Sequence, residues 1–465
     1  MPRTSRRPAR ALAIVALVGS LPLGGLWLGG QALAQRTARS EAPPVSQLVT
    51  PLLSARRAAT ILANDQSVQA LTTKLGALVA KMPSQGCLRV QFEGRPVVSQ
   101  RATDLFEPAS TVKIATASVV TELLPPETVF TTRIYGQLTG GNVEGDLVIK
   151  GGGDPLLVTS DYARIEKYPT TNPTSLDALA DKIVAAGVKT VAGAVAGDES
   201  YFSDQRYVPS WSSGIRGVEG GPLGALMVND GVIVSNPVKP NNPSQAAASE
   251  LTRLLRARGV TVNGEPLGSV TVAAGTPEIT SIASAPVAKA VGEMLTNSDN
   301  NTAEILVRHL GLLKGTAGTT EAGVKVMNDT LASWGFEGVL AKDGSGLSRG
   351  SKFSCDALVG LLARNGPTGS VGEGLATAGT TGTLKEVFVG SPVQGLLKAK
   401  TGTLTNVKAL SGFLPVKNHQ PLYFALILNG AGLADQGNYR PLWESLGKAL
   451  VTFPSTPTSQ GLGVR

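Results

Sequence analysis

Histidine is nearly absent from this 465-residue chain: only His309 and His419 occur, far apart in sequence. Two histidines cannot furnish a multi-histidine metal site, and they make a Ser-His-Asp triad a poor expectation. Cysteine is equally scarce, and Cys87 with Cys355 cannot build a zinc cage or a disulfide-dense scaffold. Charged residues make up 16% of the chain and hydrophobic residues 42%. That balance argues against disorder and against a polytopic membrane protein. No internal repeat of solenoid or propeller period occurs. The positive excess is shallow: of the formal +8, four charges come from Arg3, Arg6, Arg7 and Arg10. What remains is mild, so no nucleic-acid partner is expected.

Those four arginines precede an uncharged stretch, residues 11–34, that ends in Ala32-Leu-Ala34. A basic start, an apolar run and a small-x-small site read as an export signal. The run is long enough to span a bilayer. Pro22 and several glycines make it a mediocre permanent span, yet an uncleaved anchor stays open beside a cleaved signal peptide. Membrane contact is expected only if the segment is retained. Either way the rest of the chain is expected outside the cytoplasm, where Cys87 and Cys355 can form a disulfide; two buried free thiols are the alternative.

The length predicts two to four domains. Residues 35–49 read as a linker, with helical character emerging from Val49 to Leu62. Apolar spacing predicts a helix over 66–82 (Val68, Leu71, Leu75, Leu78, Val79), then a hairpin with strands at 88–92 and 96–99. A long helix is expected to start at Pro108 and to stop at Pro125-Pro126. Residues 127–285 change texture to short strands, Gly-rich turns and two αβ-like units, and read as one or two inserted small domains. Helix returns over 286–335. Three strands at 397–404, 407–414 and 422–429 suggest an antiparallel meander, and a helix over 438–452 closes the chain. Residues 456–465 are a tail. The fold expected is α/β of the α+β type: an antiparallel sheet flanked by helices, split into 50–126 and 286–455 around the insertion.

Three short motifs occur in order: Ser110-Thr-Val-Lys113, Ser298-Asp299-Asn300 and Lys400-Thr401-Gly402. Singly each is weak; together, on suitable elements, they form a set shared by penicillin-binding proteins and class A β-lactamases. Ser110 and Lys113 are three apart at a helix start and so face one side. A serine hydroxyl needs a base, and a buried lysine beside a second cation can serve. Lys400 is the expected cation, with Asn300 holding Lys113. Lys400 and the hydroxyls of Thr401 and Thr403 suit a substrate carboxylate. Thr381-Gly-Thr-Leu384 repeats Thr401-Gly-Thr-Leu404 without the lysine and is read as structural.

The chain resembles the low-molecular-mass class C penicillin-binding proteins, the D-alanyl-D-alanine carboxypeptidase/endopeptidase family. The resemblance spans roughly residues 50–455 and includes Pro108-Ala-Ser-Thr111, Gly152-Gly-Asp-Pro155, Asp343-Gly-Ser-Gly-Leu-Ser-Arg349 and Ala378-Gly-Thr-Thr-Gly-Thr-Leu384. The long interval between Ser110 and Ser298 distinguishes this class from the class A β-lactamases. The resemblance implies a transpeptidase-like catalytic domain with Ser110 as acylated nucleophile and Lys113 as general base. Ser298 would relay a proton to the leaving amine. Asn300 would bind the acyl-side amide, and Lys400, Thr401 and Thr403 the terminal carboxylate. The backbone N–H groups of Ser110 and Thr403 would form the oxyanion hole. Arg349 would contact the free end of a peptidoglycan-like side chain, with Tyr201 and Asp204 as further candidates for that subsite. Peptidoglycan stem peptides are the implied substrates and β-lactams the implied covalent inhibitors. No metal or organic cofactor is implied.

Other features have plainer readings. Gly151-Gly-Gly-Asp154 lacks the Gly-Lys-Ser/Thr of a phosphate loop, so Asp154 is expected to cap a turn. Asp343-Gly-Ser-Gly346 is not a nucleophile elbow, because its spacing is wrong. His309 is expected to be structural, Asp299 to brace its loop, and Arg349 could equally be an ion-pair partner. Two rivals remain. A β-lactamase would need a deacylating base, and the Glu-x-x-Leu-Asn pattern of class A enzymes is missing. A catalytically silent wall-binding protein would not need an intact motif set.

Overall fold

The structure, a computed structural model, describes residues 59–455 except Asn236. The leader, the 35–49 linker, the expected onset of helix at Val49 and the 456–465 tail lie outside the described residues.

The first helix, α1 (Ala59–Val79), carries Leu71, Leu75 and Leu78 on one buried stripe. The hairpin β1 (Gln85–Phe92) and β2 (Arg95–Gln100) turns through Glu93 and Gly94, both at positive φ (47° and 77°). That pair is what a tight two-residue hairpin loop demands. The helix expected at Pro108 opens instead as a 3-10 turn, Ala109–Thr111. The α-helix proper, α2 (Val112–Leu123), begins after it and stops before Pro125-Pro126. The sequence then builds β3 (Thr131–Thr139), β4 (Asn142–Lys150), the short β5 (Leu157–Val158) and β6 (Thr174–Ser175), and α3 (Leu176–Ala185). Next come β7 (Thr190–Val191), β8 (Val195–Asp198), α4 (Pro243–Ala257), β9 (Thr261–Val262), β10 (Leu267–Val270) and β11 (Glu278–Ala283). Four helices follow: α5 (Val287–Asn297), α6 (Asn300–Lys314), α7 (Thr320–Ser333) and α8 (Cys355–Asn365). A short α9 (Ser370–Gly374) leads to β12 (Ala376–Thr377), β13 (Lys398–Leu404), β14 (Val407–Leu414), β15 (Leu422–Asn429) and the closing α10 (Gln436–Leu450).

A six-stranded sheet runs β12-β13-β14-β15-β1-β2, with every neighbouring pair antiparallel. Its two ends come from opposite ends of the chain. Strand residues alternate between two cores. Leu88, Leu410 and Leu426 pack with α1 and α10. Cys87, Ala409 and Ile427 pack with α2, α5 and α8 on the other face. Burial on both sides explains why Leu422–Asn429 is a nearly continuous apolar run rather than an alternating one. Cys87 on β1 and Cys355 at the start of α8 are disulfide-bonded across 268 residues of sequence.

A second sheet, β10-β8-β4-β3-β11 with β7 paired to β4 and β9 to β7, is mixed. β4 and β8 pair in parallel, as do β8 and β10, and the crossovers carry α3 and α4. Ser175 caps α3 and Asn242 caps α4, the latter followed by Pro243 at the first helical position. This sheet has its own apolar core around Ile134, Leu147, Leu179 and Leu251.

Candidate active site

Ser110 sits in the 3-10 turn ahead of α2, half-exposed and following Ala109 at φ 48°. The turn is pinched from two sides by backbone that approaches too closely for a side chain. A Cβ on Gly346 would lie 2.1 Å from Ala109 O, and one on Gly402 would lie 2.7 Å from Pro108 O. The third glycine-bearing motif therefore meets the first through bare backbone.

One helical turn on, Lys113 is fully buried. Its Nζ lies 3.1 Å from Ser110 Oγ, 2.6 Å from Asn300 Oδ1 and 2.7 Å from Ser345 O. Three acceptors match the three N–H groups of an ammonium. In the neutral amine two N–H groups still serve Asn300 and Ser345, leaving the lone pair for the Ser110 hydroxyl. Burial lowers the Lys113 pKa to about 8, against the opposing pull of Asp343, Asp299, Glu304 and Glu219.

The second motif is a helix junction. Ser298 ends α5 in the left-handed conformation (φ 63°), and Asp299 caps α6, accepting from Thr302 N at 3.0 Å and Thr302 Oγ1 at 2.8 Å. Asp299 is thus a brace, as its position suggests; burial and the neighbouring Asp230 raise its pKa. Asn300 Nδ2 donates to Glu219 O at 2.7 Å, which orients the amide so that its oxygen faces Lys113.

Lys400, on β13, is fully buried with Nζ 2.9 Å from Thr401 O. Burial, then the charge of Lys113, holds its pKa well below the ordinary lysine value. Burial is the main cause for both lysines: around Lys113 the charges of Asp343, Asp299, Glu304 and Glu219 pull the other way, whereas at Lys400 the charge of Lys113 adds to the lowering.

Beneath the two lysines Glu304, one turn beyond Asn300, is fully buried. Its Oε1 accepts from Gly344 N (3.0 Å) and Ser345 N (2.8 Å). Asp343 accepts from Trp211 Nε1, Gly346 N and Ser348 N. Burial and Asp343 push the Glu304 pKa up. These carboxylates hold the 343–348 loop so that Ser345 O meets Lys113. No motif marks Glu304, although its place one helical turn after Asn300 is a usable signal.

Ser110, Ser298, Asn300, Thr401, Thr403 and Arg349 line one cavity of about 800 Å³. Thr403 Oγ1 also receives Lys408 Nζ at 3.3 Å. Arg349 lies at the cavity edge and is an ion-pair partner as well: its guanidinium reaches Glu107 Oε2 (3.1 Å) and Thr405 O (3.0 Å). Tyr201 and Asp204 are not among the lining residues, which corrects their expected placement. Phe202 anchors their segment against Ile305 and Met227, so Tyr201 lies beside His309 (ring centroids 5.7 Å) and lines a separate cavity of about 280 Å³. Asp204 is exposed, and its charge acts on the buried Arg308. The 127–285 stretch reaches the main cavity instead through Lys167, Tyr168, Ser210, Ser212, Ile215 and Glu219, none of which any motif marked.

A second correction concerns Thr381-Gly-Thr-Leu384. Its 3-10 turn (Gly382–Leu384) lies beside β13, Thr401 Oγ1 donates to Thr383 Oγ1 at 2.9 Å, and Thr383 lines the cavity. The copy without lysine is part of the site. Two plainer expectations hold. Asp154 Oδ1 caps Leu156 N at 2.9 Å, with burial raising its pKa to about 6. His309 is buried with Nε2 2.8 Å from Gly153 O.

Among the described residues no group of three or more His, Cys, Asp or Glu side chains is arranged to hold a metal ion. No described helix is long and apolar enough to cross a membrane.

The fold and this serine–lysine constellation define a penicillin-binding serine enzyme. The D-Ala-D-Ala carboxypeptidase 3 (S13) family model matches residues 66–243 and 234–446, and the chain belongs to that family, the low-molecular-mass class C penicillin-binding proteins, as a serine-type D-Ala-D-Ala carboxypeptidase. It is similar to the D-alanyl-D-alanine carboxypeptidase of Actinomadura sp. (strain R39), at 26% identity over 72% of this chain and 76% of that one. It is similar to carboxypeptidase DacB of Mycolicibacterium smegmatis, at 27% identity over 92% and 94%. Among solved structures, penicillin-binding protein 4 of Haemophilus influenzae shares the fold, with a TM-score of 0.65 and 20% identity over 81% of this chain and 98% of that one.

Proposed function

We propose that the protein is an exported enzyme that cleaves peptidoglycan stem peptides through a Ser110 acyl-enzyme and is acylated by β-lactams at the same oxygen. The observation that carries this reading is the Lys113 Nζ–Ser110 Oγ contact of 3.1 Å, with the other Lys113 donors committed to Asn300 and Ser345. Neutral Lys113 takes the Ser110 proton as Oγ bonds to the carbonyl carbon of the penultimate D-alanine. The oxyanion forms against the backbone N–H groups of Ser110 and Thr403, where fixed dipoles cost no reorganisation. Ser298 passes a proton to the departing nitrogen, the C–N bond breaks and D-alanine leaves. Water then attacks the ester, and Ser110 regains its proton. The Thr401 and Thr403 hydroxyls, backed by Lys400, hold the terminal carboxylate, while Asn300 and Arg349 face the acyl chain. A β-lactam opens by the same attack, but its amine stays tethered, so the ester persists. Cross-link cleavage uses the same steps with a longer leaving group. The basic, apolar leader supports action outside the cytoplasm, with membrane contact only if that leader is retained.

Intact-protein mass spectrometry after benzylpenicillin treatment tests the reading. A slowly decaying adduct is expected on wild type and none on Ser110→Ala. No adduct on folded wild type would favour the silent wall-binding protein, and an adduct lost within seconds while penicillin is consumed would favour a β-lactamase. The pH profile adds a second check. Because burial sets Lys113 near 8, only its neutral fraction acts as base below that value. Acylation is expected to rise about tenfold per pH unit up to about 8 and to level off above it. A rate that is flat from pH 6 to 9 would remove Lys113 from the role of base.

A further inference from the structure

The hydroxyl of Thr403 has a cation behind it that belongs to none of the three motifs. In the β13–β14 ladder Thr403 stands directly opposite Lys408, so the two side chains share one face of the sheet. Lys408 Nζ donates to Thr403 Oγ1 at 3.3 Å. On its other side α10 closes over it, with the Tyr439 ring centroid 4.5 Å from Nζ, a cation–π distance. Lys408 is only 7% exposed, and no described carboxylate pairs with it. Lysine is rarely buried without such a partner. Burial, then the charge of Arg440, lowers its pKa, as befits an uncompensated ammonium.

The same end of the cavity holds further donors without acceptors. Tyr439, Arg440 and Trp443 line it together with Thr401 and Thr403. Arg440 Nε and Trp443 Nε1 are buried and have no partner among the described residues, an unusual condition for N–H groups out of water. What this end lacks is negative charge. Lys400 is the other lysine at hand, but strand alternation puts it on the opposite face of β13 from the Thr401 and Thr403 side chains. A hydroxyl has one hydrogen to give and two lone pairs to offer. With a lone pair of Thr403 Oγ1 taken by the Lys408 ammonium, its hydrogen has no described acceptor and is left for a ligand.

We propose that Lys408 is a positioning and specificity residue of the carboxylate subsite. It holds Thr403 Oγ1 as an acceptor on the strand side, so that the hydroxyl hydrogen faces the cavity. Its cation selects a ligand that presents a carboxylate there over one that presents a neutral amide or ester. The inference rests on the acyl-enzyme reading above and deepens it, because the discriminating charge comes from β14, outside the motif set.

The test sets each charged ligand against its neutral twin: a stem peptide ending in free D-Ala-D-Ala against its C-terminal carboxamide, and benzylpenicillin against its methyl ester. Full-length wild type, Lys408→Met and Lys408→Arg are compared by product mass spectrometry and by acylation rate. Methionine keeps an apolar stem against Tyr439, and arginine keeps the charge. Wild type is expected to favour each carboxylate. Lys408→Met is expected to lose about tenfold on the carboxylates while the neutral twins stay within about twofold, and Lys408→Arg to restore most of the loss. The carboxylate is present before and during reaction, so the peptide loss falls on KM rather than kcat. Lys408→Gln, also uncharged, takes the place of Lys408→Met if that variant does not fold, with the same loss expected. Equal losses on charged and neutral ligands, no loss on either, or a wild type indifferent to the carboxylate would overturn the proposal. A folded wild type that forms no penicillin adduct would instead remove the parent reading, and this one with it.

Discussion

Replacing Lys113 with alanine will cut benzylpenicillin acylation and D-alanine release by at least about a hundredfold and toward ten-thousandfold, the range a positioned general base contributes. The geometry leaves no substitute. Lys113 is the amine within 3.1 Å of Ser110 Oγ. Lys400 is committed to Thr401 O on the adjoining strand. Neither histidine approaches the turn: His309 is held at Gly153 O and His419 pairs with Glu93. The loss should fall on the acylation step rather than on binding, because Thr401, Thr403 and Arg349 are untouched. Stopped-flow acylation alongside a thermal melt separates the chemistry from folding. A folded Lys113→Ala protein that acylates within about tenfold of wild type would place the base elsewhere.

Converting both cysteines to alanine will destabilise the chain by about 3–5 kcal/mol, because the bridge removes a long closed loop from the unfolded ensemble. The separation of 268 residues places this case toward the upper end. Both sulfurs are buried in the core that contains α2, so alanine adds a packing loss to the entropic one. Urea unfolding of the double variant, compared with wild type before and after reduction, measures the difference. Equal midpoints would mean that the bridge contributes nothing and that the two cysteines serve only as core filler.

Local pattern carried much of this architecture. The strands expected at 397–404, 407–414 and 422–429 are β13, β14 and β15 within one residue, because each is a short apolar run between turn residues. The closing helix expected at 438–452 is α10, two residues earlier. The motif residues Ser110, Ser298, Asn300, Thr401 and Thr403 do converge on one pocket, with Lys113 and Lys400 buried beside them. What escaped inspection depends on long-range approach. Thr383 joined the site only because its turn lies against β13. Glu304 matters through two backbone N–H groups some forty residues away. Tyr168 and Glu219 reach the cavity from segments with no motif, while Tyr201 is drawn elsewhere by its neighbour Phe202. The ring of acids around Lys113 is likewise set by where those acids lie in space, which spacing along the chain does not encode.

The pairing of β1 with β15 also governs when this enzyme comes to life. Gln85 faces Asn429 in that ladder, roughly 340 residues later, and contacts of such separation are slow to form. Until the last strands have been synthesised, β1 and β2 have no sheet to join and the Ser110 turn has no Gly402 to press against it. The nascent chain therefore carries the Ser110 turn early and the strands that complete its setting last. The folded hydrolase can exist only after those final strands have arrived.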